Sequence, residues 1–127
     1  DINFTHGRYD KALAIYQANL RIQHQLQDME GKAHSMGNVA NVAKKKGEYA
    51  KAEKLYFEQM RIAIQVNDID DVGRTWFNLA MLDVEQGFND SALQKLEKAL
   101  ETFQSCNAQY FIDITLQQME QLKSPQS

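Results

Sequence analysis

Three short stretches of the 127-residue chain decide its fold, because they repeat at a fixed interval. They read Gly7-Arg8-Tyr9-Asp10-Lys11-Ala12, Gly47-Glu48-Tyr49-Ala50-Lys51-Ala52 and Gly87-Phe88-Asn89-Asp90-Ser91-Ala92, forty residues apart. Four residues after each alanine stands a large apolar residue, which is Tyr16, Tyr56 or Leu96. In this register residues 7–46 and 47–86 share eleven identities. A fixed period of this length is typical of stacked supersecondary units, each of which packs on the next.

The residues inside each unit predict helices. The apolar stripe of one predicted helix comprises Ala52, Leu55, Tyr56, Met60, Ala63 and Val66, a helical spacing rather than the alternation of a strand. The single proline, Pro125, and six glycines leave few helix breakers in the chain. The sequence therefore predicts an all-α fold of antiparallel helix pairs. The predicted helices span residues 8–27, 30–46, 48–67, 70–86, 89–105 and 109–122, and Gly47 and Gly87 each end one of them.

These helices predict a single domain over residues 1–122, followed by a polar tail over residues 123–127. Within the domain we expect a partial first unit at 1–27, a second at 30–67, a third at 70–105 and a capping helix at 109–122. The first unit is incomplete, because residues 1–6 supply little more than one helical turn before Gly7. A helix pair needs a neighbour to bury its apolar face. We therefore expect either that the chain is a piece of a longer array or that another chain replaces the missing helix.

Composition narrows the classes of function. Hydrophobic residues make up 43% of the chain and charged residues 24%, with a formal net charge of −3. This balance predicts a folded protein without the basic field that nucleic acid or an anionic membrane attracts. The sequence has no apolar run of membrane-spanning length. Its single cysteine, Cys106, fits a reducing compartment, so we expect a cytoplasmic protein with no nucleic-acid or membrane partner.

The sequence offers no recognisable catalytic centre, so we do not expect an enzyme. His6, His24 and His34 lack the spacing of metal ligands, and no glycine-rich phosphate loop is present, so we expect neither a metal nor a cofactor. Cys106 stands forty residues after Val66, and this register predicts a buried apolar role for it rather than a reactive thiol. We expect Asp68 or Asp70 to cap the helix that follows.

The repeated residues resemble the tetratricopeptide repeat family. Its pattern of W-x₂-L-G-x₂-Y and A-x₃-F is matched by Trp76-x₂-Leu79-Ala80 and Ala92-x₃-Leu96, and more loosely by Ala52-x₃-Tyr56. The unit of 40 residues, where 34 are usual, is similar to a long-helix subclass found in Pins-type scaffolds and bacterial peptide-sensing regulators. The resemblance implies a right-handed superhelical stack whose first helices line a concave groove. It also implies a partner protein or peptide in that groove.

The residues between the apolar stripe positions of the first helices are the candidates for binding. They are Asn38, Asn41, Lys45, Arg74, Phe77, Asn78 and Met81, and Phe4, Thr5, Ile114, Gln117, Gln118 and Gln121 extend the same surface. Phe77, Met81 and Val84 form either additional core or an exposed apolar groove floor. Asn38 and Asn78 share one phase of the repeat; the resemblance implies that they hold the main chain of an extended ligand. The alternative is a structural hydrogen bond to the neighbouring unit.

We therefore expect a scaffold that binds an extended peptide or partner segment along its concave groove, where Lys45 and Arg74 favour acidic residues. The alternative is a regulatory or oligomerisation module of a larger signalling protein or transcription regulator. Self-association through the incomplete N-terminal unit is a further expectation.

Overall fold

The computed structural model describes residues 2–124 of the chain. From residue 11 onward it describes their side chains, except those of residues 12, 13, 16, 20 and 23. It contains the helices α1 (Ile2–Lys45), α2 (Tyr49–Gln65), α3 (Ile69–Glu85), α4 (Asn89–Ser105) and α5 (Gln109–Lys123). No strand occurs in this part of the chain. The expected side chains Phe4 and Thr5 lie outside those described, as do residues 125–127 of the polar tail.

Each helix packs against the next helix in the chain, which confirms the all-α stack. The contacts join α1 to α2, α2 to α3, α3 to α4 and α4 to α5. One apolar cluster is shared by α1, α2 and α3 and consists of Ala40, Ala43, Ala52, Tyr56, Met60, Leu79 and Leu82. A second is shared by α3, α4 and α5 and consists of Ala80, Ala92, Leu96 and Met119. The repeated alanines lie in these clusters, where a small side chain lets two helix axes approach closely.

The turns between helices use residues with left-handed backbone conformation at repeated positions. Gly47 and Gly87 have φ values of +79° and +83°, and they end α1 and α3 as the sequence predicts. Asn67 and Asn107, also forty residues apart, have φ values of 59° and 56° in the turns after α2 and α4. Asparagine tolerates this conformation better than other residues with a Cβ. A repeated turn residue therefore sets each reversal of the chain.

The first helix differs from the prediction. The expected helices at 8–27 and 30–46 form one continuous helix, α1, with no turn near Gly7 or residues 28–31. The physical reason lies at Gln27, which occupies the repeat position of Asn67 and Asn107. Glutamine is a good helix former with no preference for the left-handed region, so the helix continues through it. The separate first-unit helix predicted from the repeat is therefore wrong for this structure.

The cap predicted for the third helix is confirmed at Asp68. Its Oδ1 accepts a hydrogen bond from the backbone N–H of Asp71 at 3.2 Å, which satisfies one of the free donors at the start of α3. Lys44 and Lys45 stand in the last turn of α1, where positive charge suits the helix dipole.

Candidate functional site

A pocket of about 220 Å³ opens between α3 and α5. Its walls are mainly apolar, and its length along α3 covers one helical turn. The lining residues are Arg74, Phe77 and Asn78 of α3, Phe103 of α4, and Phe111, Ile114 and Thr115 of α5. The repeat places α3 and α5 at equivalent positions in successive units, so this pocket is the space between two first helices of the stack.

The floor of the pocket is Phe103, which is 1% exposed. Its ring stacks on that of Phe111 with centroids 5.0 Å apart and an interplanar angle of 17°. Gly73 of α3 lies against the same ring, and a Cβ atom there would come within 2.5 Å of Phe103 Cε1. Because only a glycine leaves room for this ring, Gly73 and Phe103 form a matched pair that fixes the floor.

Arg74 supplies a positive charge at the rim. Its Nη2 lies 3.6 Å from Oδ1 of Asp71, one helical turn earlier, and its side chain is 43% exposed. Asp71 is buried and also accepts a hydrogen bond of 3.1 Å from Gln59 Nε2. The buried carboxylate therefore holds the guanidinium beside the pocket, with donors of this five-donor group still free to face solvent.

Gln59 carries the one buried side-chain polar atom without a partner among the described residues, its Oε1. The amide lies against Gly37, where a Cβ atom would come within 2.9 Å of that oxygen. A glycine on α1 thus makes room for the Gln59–Asp71 hydrogen bond that orients the rim of the pocket.

The structure brings three of the predicted site residues together. Arg74, Phe77 and Asn78 line the same pocket. Met81 is half-buried and, with Phe77 and Val84, packs against the second apolar cluster. Phe77 therefore serves both as core and as pocket wall, whereas Met81 and Val84 are core contacts.

The predicted site residues of α1 lie in different surroundings. Asn38 and Lys45 are exposed. The side chain of Asn41 accepts a short hydrogen bond from the Tyr56 hydroxyl of α2, so its Oδ1 is engaged within the fold. Burial, reinforced by the charge of Glu85, raises the pKa of Tyr56, which keeps this hydroxyl protonated as the donor. Asn41 is thus a structural contact in this state of the chain.

The two asparagines at the repeated phase have free amides. Asn38 is exposed and Asn78 is half-buried at the pocket wall, and neither side chain has a hydrogen-bond partner among the described residues. Both amides keep their donor and acceptor available.

Some pocket residues escaped the sequence prediction. Phe103, Phe111 and Thr115 line the pocket, and Ile114 is the one lining residue of α5 that the sequence predicts. The signal lay in the repeat, because Phe111, Ile114 and Thr115 stand forty residues after Asp71, Arg74 and Thr75. Thr75 and Thr115 are both fully buried, and each hydroxyl donates to the carbonyl four residues earlier at 2.7 Å.

Cys106 differs from its predicted core position. It follows α4 as its C-cap residue and is half-buried, with Sγ 3.3 Å from Oδ1 of Asp70. Burial raises the pKa of its thiol, and the hydrogen bond to the Asp70 carboxylate and the negative charge of that group raise it further. The thiol is therefore less ionised near neutral pH than an ordinary cysteine, as the sequence prediction of an unreactive group requires.

We expect Cys106 to react with iodoacetamide at pH 8 more slowly than a small-molecule thiol, since the thiolate is the nucleophile. Replacing Asp70 by asparagine removes the like charge and should speed the reaction, with the rate measured by mass spectrometry across pH. A rate equal to that of the free thiol, or one that Asp70→Asn leaves unchanged, would contradict this assignment.

No group of three or more His, Cys, Asp or Glu side chains in the described part of the chain is arranged to hold a metal ion. Among residues 2–124, no helix is both long enough and apolar enough to cross a membrane.

A family model for the tetratricopeptide repeat matches residues 31–105, more than half of the chain. The chain belongs to the tetratricopeptide repeat family. The match begins in the second half of α1 and ends with α4, so it covers the two complete helix pairs whose packing is described above. Tetratricopeptide repeats are generally protein-interaction modules and typically non-enzymatic scaffolds. No curated protein matches the chain.

Proposed function

We propose that this tetratricopeptide repeat domain binds an extended peptide segment with apolar and acidic residues in the groove between its first helices. The observation that carries the proposal is the pocket between α3 and α5, which combines an apolar wall at Phe77 and Phe111 with the unpaired amide of Asn78 and the cation of Arg74. Apolar pockets with a few convergent polar groups are the usual form of a binding site.

The apolar part of the pocket supplies affinity. Phe77, Phe111 and Ile114 present side chains that are only partly covered, so a ligand side chain would bury apolar area that is now in contact with water. A volume of about 220 Å³ suits one side chain rather than a whole small molecule, because small-molecule sites usually start at about 300 Å³. The size therefore favours a peptide anchored by one residue.

The polar part supplies orientation. An asparagine amide can donate to a peptide carbonyl and accept from a peptide N–H, so it binds the main chain whatever the side chains are. Asn38 and Asn78 stand at the same repeat position on α1 and α3, with free amides, and so form successive contacts along an extended chain. Arg74 at the rim and Lys45 at the end of α1 favour an acidic segment.

Rigidity of the receptor favours this mode of binding. Phe103 is fully packed under the pocket, and Asp71 holds Arg74 from a buried position. A groove held in this way loses little conformational entropy when it is filled, so the ordering cost falls on the peptide.

The test is a titration with a fluorescein-labelled peptide selected on this chain from a random peptide library displayed on phage. We expect the double replacement Asn38→Ala and Asn78→Ala, and separately Phe77→Ala, to weaken binding by more than tenfold with unchanged helical circular dichroism. Arg74→Ala should weaken binding of an acidic peptide, and less so at high salt.

Matched controls exist on the same domain. Arg61 on α2 forms an ion pair with Glu58 across three residues, as Arg74 does with Asp71, but lies away from the pocket. Phe88, which is 55% exposed before α4 and does not line the pocket, is the control residue for Phe77. Arg61→Ala and Phe88→Ala should leave affinity unchanged. If these controls weaken binding as much as the pocket variants do, the proposed groove is wrong.

A further inference from the structure

One face of α1 is exposed where the repeat predicts burial. The face is formed by Ser35, Val39 and Val42, and its two valines are 48% and 51% exposed. β-branched apolar residues side by side on a helix surface without a covering element are a feature of interaction sites. We call this surface the α1 face.

The equivalent face of α3 is fully covered. Thr75, Leu79 and Leu82 stand forty residues after the members of the α1 face, and they are 0%, 1% and 1% exposed. Leu79 and Leu82 lie in the cluster that α2 completes with Ala52, Tyr56 and Met60. The face is covered again on α5, where Thr115 and Met119 are 0% and 8% exposed. Two of the three copies of this surface are therefore packed under the preceding helix.

The sequence contains a segment suited to cover the α1 face, residues 8–27. This segment is the repeat counterpart of α2, with Ala12 and Tyr16 at the positions of Ala52 and Tyr56. Its large apolar residues with described side chains are exposed, with Ile15 at 62%, Ile22 at 54% and Leu26 at 39%. The counterpart of Ile22 on α2 is Ile62, which is 3% exposed. Residues 8–27 and the α1 face are thus both exposed. Their repeat equivalents, α2 and the same face of α3, pack against each other.

The segment cannot reach the α1 face of its own chain in this structure. Both belong to the continuous helix α1, where residues 16 and 39 are separated by about 35 Å of helix axis. The turn that would fold them together needs a left-handed residue at Gln27, where the other turns have Asn67 and Asn107. Residues 8–27 therefore leave the α1 face of their own chain uncovered in this structure, and the same residues of a second copy are free to cover it.

We propose that residues 8–27 of a second copy of this chain bind the α1 face in the way that α2 binds α3. Each chain has both the α1 face and residues 8–27. Each of two copies can therefore cover the α1 face of the other, which gives a closed dimer. The surface is distinct from the peptide groove, because on α3 the equivalent residues Leu79 and Leu82 are buried in the cluster shared with α2, while Asn78 lines the pocket. The inference stands independently of the proposed function.

The first test is the molar mass in solution, measured by light scattering after size-exclusion chromatography on the whole chain. We expect the mass of two chains for the unchanged protein and of one chain for Val39→Asp. The matched control is Ile64→Asp on α2, since Ile64 is also a β-branched residue, 62% exposed, and lies outside the α1 face. We expect two chains for this control. A mass of one chain for the unchanged protein would overturn the proposal.

The second test distinguishes a second copy from the chain's own segment. The contact between Gln59 and Asp71 corresponds by repeat to Asn19 and Gly31, which are twelve residues apart and about 18 Å along one helix. With Cys106→Ser as background, one chain carries Asn19→Cys and another carries Gly31→Cys, and the mixture is treated with a short bismaleimide. A covalent pair of chains supports the proposal. Absence of that pair, or a link inside one chain that carries both cysteines, refutes it.

Discussion

We expect Lys95→Leu to lower the free energy of unfolding by about 3 kcal/mol, measured by urea titration with circular dichroism. Lys95 Nζ lies 2.5 Å from Oδ2 of Asp83, a carboxylate whose side chain is 6% exposed, and Ser91 donates to the same oxygen at 2.7 Å. Removing the lysine leaves a buried charge with one neutral donor. A buried charge that has lost its ionic partner is among the most destabilising single defects.

The repeat itself supplies the control for this variant. Forty residues before Asp83 and Lys95 stand Ala43 and Leu55, which contact the first apolar cluster in place of an ion pair. The double variant Asp83→Ala and Lys95→Leu copies that arrangement, and we expect it to lie within about 1 kcal/mol of the unchanged protein. A double variant as unstable as Lys95→Leu alone would show that the two units do not pack in the same way.

The second large effect is expected at the pocket floor. Phe103→Ala should destabilise the domain by about 4 kcal/mol, because it removes a fully buried ring together with its stacking on Phe111. The same change deepens the pocket, so a peptide anchored there should bind more weakly. Urea titration and the peptide titration measure the two consequences separately.

The effect of Gly73→Ala on the free energy of unfolding should change sign when Phe103 is replaced by alanine. In the unchanged protein the new methyl group would meet Phe103 Cε1 at 2.5 Å, so we expect destabilisation by about 1–2 kcal/mol. In the Phe103→Ala background the space is free, and alanine is the better helix former, so the same change should stabilise by up to about 1 kcal/mol. The preceding unit has this combination, Ala33 with Ala63, and both are buried. The same sign in both backgrounds would contradict the pairing of Gly73 with Phe103.

The repeat predicted most of the architecture because it fixes the residues that pack. Gly47 and Gly87 mark turns since they adopt positive φ, and Ala52 and Ala92 mark close helix contacts since they are fully buried. The family assignment followed from the same positions. The domain boundaries drawn from the repeat stay a prediction.

The predictions that the structure corrects concern single residues whose conformation, burial or contacts the repeat does not determine. Gln27 replaced the asparagine that turns the chain, and a pattern of apolar spacing does not show the absence of a left-handed residue. Cys106 lies at a helix end, where the repeat register fixes the position of the side chain but not its burial. Asn41 shared the phase of the binding residues, yet its contact with Tyr56 joins helices that only the folded chain brings together.

The predicted groove depended on two kinds of information. The phase of Arg74, Phe77 and Asn78 on one helix was readable from their spacing, and the structure places them in one pocket. On the opposite wall the spacing also indicated Ile114, whereas Phe111 was missed because it occupies the repeat position of the charged Asp71. A change of chemistry at one repeat position converts a buried polar contact in one unit into an aromatic wall in the next.

A nuclear magnetic resonance titration of the isotope-labelled chain with the selected peptide tests the proposed groove most directly. We expect the amide signals that shift most to belong to residues that line the α3–α5 pocket, with the side-chain amide of Asn78 among them. Largest shifts on the outer surfaces of α2 and α4, with the signals of Phe77 and Asn78 unmoved, would contradict it.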